Sequence, residues 1–160
     1  MFQKKTIATS EEALKFAVKK LAISDYSQEE ILNSLLRRKC SYDNAQAAIN
    51  KLLELRYIDD EKLCQKICSR WQEEGAYGTN ALKMKLLKRG IDKSIINRVI
   101  NEMQLNDTES IERAFAKYTR SKKITDQKSL EKLIRHLGNK GFKYNAIQEI
   151  INVEIKLPEF

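Results

Sequence analysis

A few side chains in this sequence have types and spacings that could do chemistry. Asp59 and Asp60 are adjacent, Cys64 and Cys68 follow one helical turn apart, and His136 is the single histidine. Paired carboxylates can share acid–base work, and two thiolates on one helix face could hold a metal. A structural zinc wants four ligands, however, and one histidine beside three cysteines (Cys40 is the third) does not assemble them. Burial on a helix explains the cysteines better, because free cysteine is among the most buried residue types. A helix N-terminus explains Asp59 and Asp60, through capping and the helix dipole. No phosphate loop, dinucleotide fingerprint, nucleophile elbow or H-E-x-x-H pair occurs. Gly75-Ala76-Tyr77-Gly78 has only the bare spacing of a GXXG loop. The expectation is a binding protein and not an enzyme, with no cofactor and no metal.

Charge supplies the binding candidates. Thirty Lys plus Arg stand against 22 Asp plus Glu, for a net charge of +8. It divides as +3 over residues 1–58, +1 over 59–107 and +4 over 108–160. Two basic clusters stand out: Lys83, Lys85, Lys88 and Arg89, and Arg113, Lys117, Arg120, Lys122 and Lys123. Such clusters could face nucleic-acid phosphates or an acidic protein patch, and a solvated helix face is the plainer alternative. Trp71 and Tyr77 flank the charged segment from Gln72 to Gly78. Either could anchor a partner, although core packing is the stronger reading for Trp71. Phe16, Phe115, Tyr118 and Phe142 fall at helical spacing among apolar residues and belong to the core, while Tyr57 is expected to pack at a turn.

The elements that must position these residues are helices. The chain has five Gly, and its one Pro is residue 158. Apolar residues recur every three or four positions from Thr9 to Val153. The spacing and caps predict helices over 10–23, 28–39, 42–55, 60–74, 79–89, 93–104, 108–122, 127–139 and 144–153. Thr9 with Glu12 and Ser27 with Glu30 form capping boxes, Asp59 starts a helix with Ile58 and Leu63 as its staple, and Asp92, Asp107 and Asp126 cap later ones. No apolar run exceeds three residues, so neither a membrane span nor a signal-peptide core is expected. With an odd number of cysteines, the chain is expected to be cytoplasmic.

A repeat organises the helices. Leu35–Cys40, Leu86–Ile91 and Leu137–Phe142 align at a spacing of 51 residues, as do Ala45, Ile96 and Ile147, then Ile49, Ile100 and Ile151, and Phe16, Ile67 and Tyr118. Three three-helix modules follow, over 1–58, 59–107 and 108–160. Modules this small gain stability by packing in a row, so the expected fold is an all-α, elongated array of three tandem three-helix repeats. Gly90 and Gly141 stand where a helix ends on a left-handed residue, and Lys39 at the same place predicts a different ending.

One stretch is specific enough to name a family. Tyr57-Ile58-Asp59-Asp60, then Glu61-Lys62-Leu63, Tyr77-Gly78 and Leu82, Leu86, Lys88, Arg89, Gly90 and Ile91, closely resembles the signature of the RecX family, bacterial regulators of the RecA recombinase. Leu21-Ala22, Asp25-Tyr26-Ser27 and Glu30 are similar to the family's opening motif. Tyr118, Arg120, Lys122, Lys123, Leu133, Ile134 and Gly141-Phe142 are similar to its later pattern, so the resemblance runs from about Leu14 to Ile151. The chain departs from the family with Arg56 where Gly is usual before the tetrad, Ser24 where Arg commonly precedes Asp-Tyr-Ser, and Ala76 where a basic residue often precedes Tyr-Gly. The resemblance implies a monomer that docks in the groove of the RecA filament on single-stranded DNA. There it would block extension, ATP hydrolysis, strand exchange and the coprotease function. Arg70, Trp71, Tyr77, Lys83, Lys85, Lys88, Arg89, Arg120, Lys122 and Lys123 are the candidate contacts with the filament or with single- or double-stranded DNA. The alternative is a helical repeat protein that binds nucleic acid directly.

Overall fold

The computed structural model describes residues 6–155, so the outer ends of the first and last modules, and Pro158, lie outside the described residues. Among the described residues there are nine α-helices and no strand. They are α1 (Ser10–Leu21), α2 (Gln28–Leu36), α3 (Tyr42–Glu54), α4 (Asp60–Glu74), α5 (Thr79–Lys88), α6 (Lys93–Glu102), α7 (Thr108–Ser121), α8 (Gln127–Asn139) and α9 (Tyr144–Glu154). The starts agree with the sequence reading because caps are local chemistry. Ser27 and Glu30 close a full capping box on α2, with the Glu30 amide bonded to Ser27 Oγ at 3.1 Å and the Ser27 amide to Glu30 Oε2 at 2.9 Å. Asp126 does the same for α8 with Ser129. Thr9 takes the Glu12 amide at 3.2 Å, but Glu12 reaches the amide of Ala8 instead of Thr9, so this box is not reciprocal. Asp59 caps α4 through the Lys62 amide at 2.9 Å, with Ile58 and Leu63 buried beside it.

The ends of α2, α5 and α8 are alike in detail. Lys39, Gly90 and Gly141 have φ of 57°, 73° and 83°. In each case the next residue donates its amide back into the last turn: Cys40 to Leu35, Ile91 to Leu86 and Phe142 to Leu137. This is a Schellman ending, and Cys40, Ile91 and Phe142 are buried, as its hydrophobic contact requires. Lys39 therefore does not end its helix differently. The turn geometry and the burial of Cys40 outweigh the steric cost that a Cβ brings to a left-handed residue. Arg56, at the family's glycine position, is also left-handed, with φ of 56°.

The described residues form two compact units, one running to Lys66 and including Leu86–Val99, the other comprising Ile67–Lys85 and the residues from Ile100 on. The division passes through α4, α5 and α6. In the first unit α1, α2 and α3 pack on one another around Ile31, Leu35, Ile49, Leu52 and Ile58. In the second, α7, α8 and α9 pack around Phe115, Leu133, Leu137, Phe142 and Ile147. Phe115, Tyr118 and Phe142 are in that core as expected, and Tyr57 is 55% exposed. Cys40, Cys64 and Cys68 are buried and form no disulfide.

Candidate functional site

In the first unit, the family-like residues build a polar hub. The Arg89 guanidinium grips Glu30 with two hydrogen bonds, Nε to Oε1 at 2.9 Å and Nη2 to Oε2 at 2.7 Å, and also reaches the carbonyl of Asp25 at 2.8 Å. Ser27, wholly buried, donates its hydroxyl to the Arg89 carbonyl. Asp60, 7% exposed, turns inward and accepts the amide of Gln28 at 3.0 Å. Burial pushes the Glu30 carboxyl up, but its bonds to Arg89 and to the Ser27 amide outweigh this and hold it below its ordinary value. Asp60 goes the other way: burial raises its carboxyl, and the Gln28 amide only partly compensates. These charges orient helix starts in a partly dry environment, so their motif-like spacing serves structure. Arg89 was expected among partner contacts; its guanidinium is committed to Glu30.

The second unit has its own hub. Asp107, expected to cap α7, makes no side-chain cap bond there. Its buried carboxylate instead accepts the Thr79 amide at 2.8 Å and the Lys143 amide at 3.2 Å, so one side chain satisfies the first amides of α5 and the entry to α9. Nearby, Gly78 donates its amide to the Lys140 carbonyl at 2.9 Å and Asn80 donates to the Gly141 carbonyl at 3.1 Å. A methyl group on Gly78 would run into the backbone of Gly141 and Phe142. This close approach explains the glycine after Tyr77.

Around this hub sit three aromatic rings, each with a lysine ammonium over it. Lys85 Nζ lies 5.4 Å from the centre of Trp71, Lys140 Nζ lies 4.6 Å from Tyr77, and Lys122 Nζ lies 4.8 Å from Tyr118. Trp71 and Tyr77 are 5.7 Å apart, and the Trp71 indole donates to the Tyr77 carbonyl at 3.1 Å. Trp71 is partly buried, and Tyr77 is 46% exposed. An open groove of about 620 Å³ runs past Glu74, Gly75 and Ala76 and is lined by Arg113, Lys117 and Tyr118 from α7, by Lys122 at its C-cap, by His136 from α8 and by Lys140 at the C-cap of α8. Burial, with Lys140 and Lys122 adding to it, holds the His136 imidazole below its ordinary value.

The expected contact residues thus fall into several settings. Trp71, Tyr77 and Lys85 come together, and Lys122 lines the groove. Arg70, Arg120 and Lys123 are exposed and lie outside the groove lining, while Lys83 is half-buried. Lys88 is exposed and, like Arg89, belongs to the first unit. His136 and Lys140 were absent from the expected set. Their i, i+4 spacing puts them on one face of α8, but only tertiary packing sets that face against the basic face of α7. Among the described residues, no group of His, Cys, Asp and Glu could hold a metal ion, and no helix is long and apolar enough to cross a membrane.

No protein-family profile matches the chain. Individual proteins do. The regulatory protein RecX of Clostridioides difficile is 29% identical over 149 residues, covering 89% of this chain and 70% of that protein. The regulatory protein RecX of Chlorobium phaeobacteroides is 28% identical over 144 residues, covering 88% and 91%. Against the RecX of Streptococcus equi the match is 26% over 134 residues, 82% of this chain but 51% of the relative, so the chain spans about half the length of its streptococcal relatives. The crystal structure of RecX from Lactobacillus salivarius superposes with a TM-score of 0.78 at 22% identity over 90% of this chain and 95% of that one. A second crystal structure, of a regulatory protein RecX, gives 0.81 at 18% identity over 91% and 73%. In sequence and in fold alike, the proteins this chain is similar to are the regulatory proteins RecX, and the resemblance its motifs suggested extends over most of its length.

Proposed function

We propose that this chain regulates a RecA-type recombinase by binding, not by turnover. In this reading it docks in the groove of the filament on single-stranded DNA and blocks extension, thereby lowering ATP hydrolysis, strand exchange and coprotease activity. The observation that carries the reading is the run from Tyr57 to Ile91, similar to the RecX signature, embedded in a match to RecX proteins that covers 82–89% of the chain. The 51-residue periodicity supports a modular array, and three modules along a helical filament reach more than one subunit. Effective concentration then raises apparent affinity, so inhibition is expected at a small fraction of the recombinase concentration. The aromatic and lysine pairs at Trp71 and Tyr77 supply rigid amphipathic contacts of the kind that dominate interfaces.

The test is an ATPase titration with recombinase and single-stranded DNA held fixed, repeated with duplex DNA in large excess. Substoichiometric inhibition that survives the added DNA is the expected result; inhibition that vanishes with spare DNA refutes docking on the filament. Charge reversal at Lys85 and Lys88, two exposed lysines of α5, weakens inhibition on this reading while helical content and melting stay as in the unaltered protein. Arg89 is left out of that variant because its guanidinium holds Glu30. Full inhibition by the double variant removes these lysines from the interface.

A further inference from the structure

The motif resemblance accounts for only part of the groove of the second unit: it includes Tyr118 and Lys122 but not Arg113, Lys117, His136 or Lys140. Four cationic side chains line it, Arg113, Lys117, Lys122 and Lys140, against one carboxylate, Glu74. Arg113 shares its charge with Glu109, its Nη2 lying 3.1 Å from Oε2. Ala76, Ala114 and the buried Tyr118 ring provide an apolar floor, and the His136 ring lies 4.8 Å from Tyr118. A surplus of positive charge along a concave surface with an apolar floor suits a polyanion that also carries flat rings. The volume is that of a site for one or two nucleotides.

We propose that this groove is a phosphate-binding track for a single-stranded nucleic acid, with Arg113, Lys117, Lys122 and Lys140 on the phosphates and the half-buried His136 ring, backed by Tyr118, beneath a base. Arginine and lysine spaced along a helix match the repeating charge of a phosphodiester chain, whereas an acidic peptide would need an unbroken run of carboxylates to do so. A duplex keeps its bases paired and stacked, so it offers phosphates here but no base to a side-chain ring. His136 adds proton coupling. The charged groups that share its groove are Arg113 and Lys117 from α7, Lys122 just after α7, Lys140 just after its own helix and Glu74 from α4, and no residue of α9 lines the groove. Burial, with Lys140 and Lys122 adding to it, disfavours the protonated imidazole in the empty groove, and an incoming phosphate favours it. Affinity therefore rises as the pH falls from 7.5 towards 6, by at most about tenfold per pH unit for one proton. The inference goes beyond recombinase binding and is tested without any recombinase.

The experiment is fluorescence anisotropy of a labelled oligothymidylate with the full chain. Four phosphate contacts predict a salt slope near −3, and so about 50-fold weaker binding at 200 mM than at 50 mM salt. Replacing three lysines together (Lys117→Gln, Lys122→Gln, Lys140→Gln) brings the slope to about −0.7 with the circular dichroism spectrum retained. His136→Gln removes the pH dependence and, because the ring lies beneath a base, weakens binding at pH 7.5 by about fivefold or more while the salt slope stays near −3. This single change stands as the second probe should the triple variant fold poorly. Polyglutamate at equal charge and a duplex of equal length compete weakly, and a nucleoside triphosphate tests whether free nucleotide is the source of the phosphate. Any of four results overturns the proposal: unchanged binding and slope in the lysine variant, a pH dependence that survives His136→Gln, polyglutamate or duplex binding as tightly as the strand, or displacement by the triphosphate at equal phosphate. Loss of strand binding on charge reversal at Lys85 and Lys88, with groove variants unaffected, moves nucleic-acid contact elsewhere and also refutes this site.

Discussion

Replacing Asp107 tests whether one buried carboxylate organises the second unit. In Asp107→Ala the Thr79 amide, which is buried, loses its acceptor outright, and the Lys143 amide, which is nearer solvent, loses a longer bond that water can partly replace. An orphaned buried amide costs about 1–3 kcal/mol, and bonds to a charged acceptor sit at the upper end. Adding a smaller amount for Lys143 gives a loss of about 2–4 kcal/mol, a large share of the roughly 5–15 kcal/mol that holds a domain folded. For a chain of this size that lowers the melting temperature by about 5–15 °C. Asp107→Asn is the sharper probe. It keeps the shape but offers one acceptor and one donor to two amides, so it should lie between the alanine variant and the unaltered protein. Thermal and urea unfolding followed by circular dichroism measure both. An alanine variant within about 0.5 kcal/mol of the parent, or an asparagine variant equal to the parent, would show that packing around α7 and not these two bonds fixes the joint.

The remaining predictions concern the first unit and the glycines. Arg89→Ala strands a partly buried Glu30 and should cost about 1–3 kcal/mol, between the values for exposed and buried pairs, and Arg89→Lys should recover only part because an ammonium cannot make both bonds. Because the Glu30 carboxyl lies below its ordinary 4.5 when folded, its contribution is complete above that pH and fades as pH falls through the lower folded value; Glu30→Gln should therefore flatten the acid limb of a stability–pH curve below about pH 4.5 and leave its shape near neutrality. Asp60 has the opposite sign, since its raised carboxyl is destabilised in the charged form; Asp60→Asn keeps an acceptor for Gln28 and should leave the melting temperature at pH 7 unchanged or higher, and a clear drop there would refute the desolvation argument. Gly138→Ala, in α8 with open space around the added methyl, should raise stability by about 0.5–1 kcal/mol, whereas Gly78→Ala meets backbone and should cost more than that; equal effects in a melting comparison would deny the close approach.

Where sequence reasoning worked, the physics was local. Ser27 with Glu30, Asp59 and Asp126 announce helix starts because their partners lie within three residues. Asp107 has the same residue type and position, yet its amides come from Thr79 and Lys143, a pairing no local window contains. Arg89 likewise looks like one charge in a basic run until Glu30, far earlier in the chain, takes it up. Lys39 misled because glycine preference reports only the intrinsic cost of a left-handed residue, while the buried Cys40 that follows sets the benefit. The groove was half visible: Arg113, Lys117 and Lys122 were noted as a basic helix, but its other wall, His136 and Lys140, depends on how α8 meets α7.

The tie between Gly78 and Asn80 and the carbonyls of Lys140 and Gly141 bears on how the chain matures as it is made. The amides on one side of this joint leave the ribosome about sixty residues ahead of their acceptors, a delay of roughly 3–12 s at ordinary elongation rates. Over that interval the start of α5 has neither these carbonyls nor the Asp107 carboxylate until that residue emerges, whereas α1 to α3 can already have closed their own core. The nascent protein should thus acquire its two units in sequence, with the stretch around Tyr77 open to proteases and chaperones until Lys140 and Gly141 have emerged.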